Sequence, residues 1–159
     1  VLVCASMTVT IFLLLYNFKS RSMDNLRTGR HCVFMLHAHL IFITKYRGKI
    51  LNNEVLSYME NLMIEVCVQF EVELTEFNGE SDHVHLLVNY PPKVCLSKLI
   101  NSLKGVSSRK IRQEFPSVKY HWTNRKSGAL WSPSYFAGSV GGAPIEVLKQ
   151  YIEQQDRPH

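Results

Sequence analysis

The stretch SDHVHLLVNYPP, residues 81–92, decides the fold, reading as one strand from His83 to Tyr90 stopped by Pro91 and Pro92. Alternate side chains of a strand share a face. Val84, Leu86 and Val88 therefore point into a core, and His83 and His85 point together the other way. By strand rise the two histidines stand about 6–7 Å apart at their bases. Two imidazoles so placed can bind one metal ion; the plainer alternative is two surface histidines that happen to lie two apart.

Outward from this strand the pattern is regular. Val72 to Phe77 alternates apolar and polar residues, and Asn78-Gly79 is a turn signal before His83. Further upstream, Asn52 or Asn53 can cap a helix running to about Phe70. Its buried stripe is Val55, Met59, Leu62, Met63, Val66 and Phe70. His37 to Tyr46 (HAHLIFITKY) is β-branched and aromatic, and reads as the first strand. It carries a second pair of the same spacing, His37-Ala38-His39, and spacing cannot separate the two pairs.

Downstream, Ser97 to Phe115 is a second amphipathic helix with Leu99, Ile100, Leu103, Val106 and Ile111 inward, ended by Pro116. Residues 117–128 read as loop, and Trp131 to Ser139 contains a last short strand. Gly138 to Gly142 reads as a glycine-rich hinge; Pro144 then opens a final helix to about Gln155. Tyr151 and Gln155, one turn apart, share a face of that helix. The expected fold is α+β, a ferredoxin-like (RRM-like) antiparallel sheet with two helices on one face and a further C-terminal helix carrying the tyrosine.

Composition sets the frame. The chain has 159 residues, 46% hydrophobic and 19% charged, with formal charge +5. That is enough for one core, and the basic excess is compatible with a polyanionic partner. Cys4, Cys32, Cys67 and Cys95 are widely spaced, form no metal-type pair, and read as small apolar residues in a reducing compartment. Residues 1–22 are apolar to Phe18 and then basic, and are expected to stand outside a domain of residues 23–159. The apolar run offers a membrane anchor, but Ser6, Thr8, Thr10 and Asn17 interrupt it, and no stable membrane association is expected.

Basic and aromatic groups interleave in a way that suits single-stranded nucleic acid, a solvated helix face being the ordinary alternative for such charges. Lys45, Tyr46, Arg47 and Lys49 follow the first strand; Lys98, Lys104, Arg109, Lys110 and Arg112 line the second helix; Arg125 and Lys126 sit near Trp122 and Trp131. There is no phosphate-cradling glycine loop and no nucleotide fingerprint.

Taken together, five segments resemble one family in its own order: HLIFITKYRGKIL (39–51), FNGESDHVHLLVNYPPK (77–93), LSKLINSLKGVSSRKIR (96–112), LWSPSYFAGSVGG (130–142) and IEVLKQYIEQQ (145–155). They resemble the single-tyrosine HUH transposases of the smallest bacterial and archaeal insertion sequences, where HUH denotes His-hydrophobic-His. The resemblance implies that His83 and His85 bind the metal, with Gln155 as third ligand and Mg²⁺ or Mn²⁺ as the ion. It demotes His37-Ala38-His39. It makes Tyr151 the nucleophile that cleaves and rejoins single-stranded element ends through a 5′-phosphotyrosine. Implied too are a homodimer with sites shared between subunits, mobility of the last helix, hairpin-bearing single-stranded DNA on Lys98, Lys104, Arg109 and Arg112, and a cytoplasmic location. A domesticated nuclease of host repeats and a non-catalytic RRM-like binder are the alternatives. The second needs paired strand aromatics, where this strand offers histidines.

Overall fold

The computed structural model describes residues 27–118 and 128–139. The expected final helix with Tyr151 and Gln155, the loop with Trp122, Arg125 and Lys126, and the leader of residues 1–22 lie outside the described residues. The chain divides into two compact units, residues 1–35 and 36–159. In the first, β1 (Arg27–Thr28) pairs antiparallel with β2 (Val33–Phe34), closed by Gly29 N–H donating to the Cys32 carbonyl at 2.7 Å.

The second unit runs β3 (His37–Ile43), α1 (Asn53–Gln69), β4 (Glu73–Gly79), β5 (His83–Asn89), α2 (Leu96–Glu114) and β6 (Phe136–Ser139). The sheet order is β4-β5-β3-β6, and every neighbouring pair is antiparallel. This is the ferredoxin-like arrangement the sequence predicts. One face carries Ala38, Leu40, Phe42, Val84, Leu86 and Val88, packed with Val55, Met59 and Met63 of α1 and Leu99, Ile100 and Leu103 of α2. Burial of such a shared apolar surface is the main stabilising contribution.

Local chemistry fixes the ends. Asn52 caps α1 by accepting from Val55 N–H at 2.9 Å. β4 contains a register shift between Leu74 and Glu76, so that Thr75 is extra. The bulge lets Leu74 and Phe77, three apart, both turn to the core. It also extends pairing through Gly79, so Asn78-Gly79 is strand rather than turn, and the chain reverses over residues 80–82. β3 likewise ends earlier than Tyr46. Thr44 N–H donates to the Asp82 carbonyl at 2.9 Å, and a 3-10 turn, Lys45–Arg47, follows with Tyr46 and Arg47 at φ of 59° and 51°. Such left-handed backbone is unfavourable for bulky side chains.

Trp131 corrects a second expectation. It is 4% exposed, stands edge-on to Phe42, and its indole N–H donates to Ser107 Oγ at 2.9 Å. It is a core residue rather than a surface for stacking bases. Ser107→Ala is expected to leave that buried N–H unsatisfied and to cost about 1–3 kcal/mol, read as a lower midpoint in urea unfolding. An unchanged midpoint would remove the bond from the account.

Candidate functional site

Register builds the site. Ile43 pairs with His83, Ile41 with His85 and His39 with Leu87. His37, His39, Ile41 and Ile43 therefore share the face of His83, His85, Leu87 and Asn89, away from both helices. Besides the imidazoles these positions carry no Phe, Tyr or Trp, and Phe136 of β6, opposite Ile41, adds one phenyl ring to the same face. The His83 and His85 rings lie 4.9 Å apart between centroids and nearly perpendicular, at 76°. His39 lies 5.4 Å from His85 on its other side.

The second histidine pair is thus not wholly apart from the first. Only the resemblance demotes His37-Ala38-His39, yet pairing of β3 with β5 brings His39 into the same row. The signal was available: two strands with the same spacing, paired antiparallel, put both sets on one face when the register is even.

His83 is buried and His85 half-buried. The Asp82 carboxylate reaches His83 Nδ1 through Oδ1 at 2.7 Å and accepts from Arg47 Nε through Oδ2 at 3.1 Å. Burial alone would raise the Asp82 carboxyl, but the hydrogen bonds and charges of His83 and Arg47 prevail and hold it below the usual range. Burial, then the neighbouring His83 and His39, lowers His85 to about 4 against a smaller pull from Glu80. Burial lowers His39 also, opposed by Glu76. His85 is then neutral at physiological pH, the state in which imidazole offers a lone pair to a metal.

The donor set fits a divalent cation. Adjacent neutral and carboxylate-anchored imidazoles are nitrogen ligands of the right kind, and Glu80, Asp82 and His83 each bring a donor atom within 4.8 Å of one another. Asp82 already uses both oxygens, and Glu80 is exposed. The paired imidazoles are the better core of such a site.

The four basic residues expected to meet DNA separate into two groups. Lys104 Nζ donates to the carbonyls of Ser132, Pro133 and Ser134 at 2.7, 3.1 and 3.2 Å, and burial lowers its ammonium. Arg112 donates to the Ser108 carbonyl at 2.9 Å and to that of Gly128. These two tie loops to α2. Lys98 and Arg109 are exposed on one helix face. Gly138 is also reassigned: it lies within β6 opposite His39, so the expected hinge does not begin there. Tyr151 and Gln155, the other two expected site residues, lie outside the described residues. Of the described cysteines, Cys67 is buried, with burial raising its thiol to about 12, but Cys32 and Cys95 are exposed rather than core.

A four-stranded antiparallel sheet backed by two helices, with paired imidazoles on its other face, defines a His-hydrophobic-His α+β domain. The profile of the family described as "Transposase IS200 like" matches residues 32–155, and the chain belongs to that family. It is 31% identical to the ISDra2 transposase TnpA of Deinococcus radiodurans over 131 residues, covering 82% of this chain and 91% of that protein. It is 28% identical to the transposase for insertion sequence element IS200 of Salmonella typhimurium over 117 residues, 74% of each. A crystal structure of a transposase-like protein from Deinococcus radiodurans R1 matches with TM-score 0.75 and 34% identity, over 83% of this chain and 99% of that one. Among the described residues no helix is long and apolar enough to cross a membrane.

Proposed function

We propose that this transposase cleaves and rejoins single-stranded DNA at insertion-sequence ends, using Tyr151 as nucleophile and a divalent cation held by His83, His85 and Gln155. The observation that carries the reading is the pair of imidazoles 4.9 Å apart on the face away from the helices, one of them anchored by a carboxylate. The roles of Tyr151 and Gln155 rest on family membership and on their spacing of one helical turn.

A Mg²⁺ or Mn²⁺ ion, when bound, would neutralise charge on the scissile phosphate and so favour its attack by an anionic oxygen. Tyr151 Oη loses its proton and forms a bond to phosphorus. The bond from phosphorus to the 3′-oxygen breaks, and that oxygen takes up a proton to become a free 3′-hydroxyl. The 5′ phosphate remains on Tyr151. Attack by a second 3′-hydroxyl reverses these changes and joins new strands, with no other energy source because the phosphoester is conserved. The catalytic unit is the domain of residues 23–159, acting as a homodimer in which Tyr151 of one subunit serves the histidines of the other. The substrate is single-stranded DNA with subterminal hairpins, met in the cytoplasm of a bacterial or archaeal cell.

The direct test offers labelled single-stranded ends and their duplexes with Mg²⁺ or Mn²⁺. Metal-dependent nicking of the single strand is expected; efficient cutting of the duplex, or none of either, contradicts the reading. For binding, Lys98 and Arg109 stand three turns apart, about 16 Å by helical rise. Lys98→Ala and Arg109→Ala should each weaken single-strand binding and flatten the salt dependence by about 0.7 in log–log slope, one lost phosphate contact. Lys104→Met should lower the unfolding midpoint instead. Equal slopes in all three variants would separate this surface from DNA.

A further inference from the structure

We infer that Asp82 is a positioning residue: it fixes the tautomer of His83 so that Nε2 is the nitrogen presented to the cation, an inference that rests on the proposed role of His83 as a ligand.

Asp82 is 5% exposed and is held from two directions. Its main-chain carbonyl accepts Thr44 N–H at 2.9 Å, and the preceding Ser81 carbonyl accepts Leu51 N–H at 3.0 Å. Its side chain lies between two partners, Arg47 Nε on Oδ2 at 3.1 Å and His83 Nδ1 on Oδ1 at 2.7 Å. An ionised carboxylate only accepts hydrogen bonds. The proton of a neutral His83 must therefore sit on Nδ1, which leaves the lone pair on Nε2.

Three features separate this contact from an incidental ion pair. Both carboxylate oxygens are committed, so Asp82 serves as an acceptor for its neighbours rather than as a spare ligand. Arg47 comes from the left-handed turn Lys45–Arg47, where φ is 51°, so an unfavourable backbone is maintained at the residue that completes the chain of contacts. Among the described residues no carboxylate makes the same bond to His85, which leaves His83 as the fixed member of the pair and the reference for the geometry of its neighbour.

The test begins with metal-free protein carrying ¹⁵N-labelled histidine, at a pH above the ordinary imidazole range. His83 of the unsubstituted protein should show a protonated Nδ1 and a bare Nε2. Asp82→Ala, and the closer-shaped Asp82→Leu in case the alanine variant does not fold, should turn this into a mixture of tautomers. Each should weaken Mn²⁺ binding, measured by the loss of the free-ion electron-resonance signal, by about 10–100-fold, as for outer residues that hold a metal-bound histidine. A purely structural role would lower the unfolding midpoint without moving the tautomer. A proton on Nε2 in the unsubstituted protein overturns the inference, whatever the variants do. So does an unchanged tautomer or Mn²⁺ affinity in either folded variant. Should His83→Ala also leave Mn²⁺ binding intact, the ligand role of His83 fails, whereas the tautomer spectrum still judges Asp82 separately.

Discussion

Tyr151→Phe is expected to lower strand cleavage by more than about 10³-fold while leaving single-strand affinity within about twofold, if Tyr151 is the proposed nucleophile. The size follows from the role. A phenyl ring keeps the shape of the side chain but has no oxygen to bond phosphorus. No covalent intermediate forms, so rejoining is lost with cleavage. The check is a pair of measurements on one preparation: gel-resolved cleavage of a labelled end, and binding by anisotropy. Cleavage retained within tenfold would assign the nucleophile elsewhere. Binding lost along with cleavage would make Tyr151 a structural residue.

His83→Ala and His85→Ala form the second large effect. Each removes one imidazole from a pair whose rings lie 4.9 Å apart. Each should lower metal-dependent cleavage by about 10²–10³-fold and weaken Mn²⁺ binding in parallel, as loss of a direct ligand should exceed loss of an outer partner. His37→Ala should leave both unchanged. His39→Ala is the informative comparison, because His39 lies 5.4 Å from His85 on the same face. Unchanged Mn²⁺ affinity in both the His83 and His85 variants would take the cation away from this face.

Most of the fold was legible because period and end signals agreed. Val55, Met59, Leu62 and Met63 recur at helical spacing and are buried; Val84, Leu86 and Val88 alternate and are buried. What failed was what depends on pairing. Asn78-Gly79 is a turn signal in isolation, but the bulge at Thr75 shifts the pairing and carries the strand through it. Tyr46 has strand propensity, but the bond from Thr44 to Asp82 and the turn after it end β3. The same holds at the site. Spacing put His83 and His85 together, since only neighbours along one strand were needed. It could not put His39 beside them, or Arg47 on Asp82, because both need the register of β3 against β5. Nor could it tell a lysine that meets phosphate from one that holds three loop carbonyls, as Lys104 does.

In the proposed reaction this sheet face prepares a phosphodiester for transfer to Tyr151. The most direct measurement is to incubate the protein with a labelled single-stranded element end and Mg²⁺, denature, digest, and sequence the peptide that keeps the label. The account predicts a denaturation-resistant adduct on the peptide containing Tyr151, absent after chelation and absent from His83→Ala. Cleaved DNA with no adduct, or a label on any other residue, would contradict it.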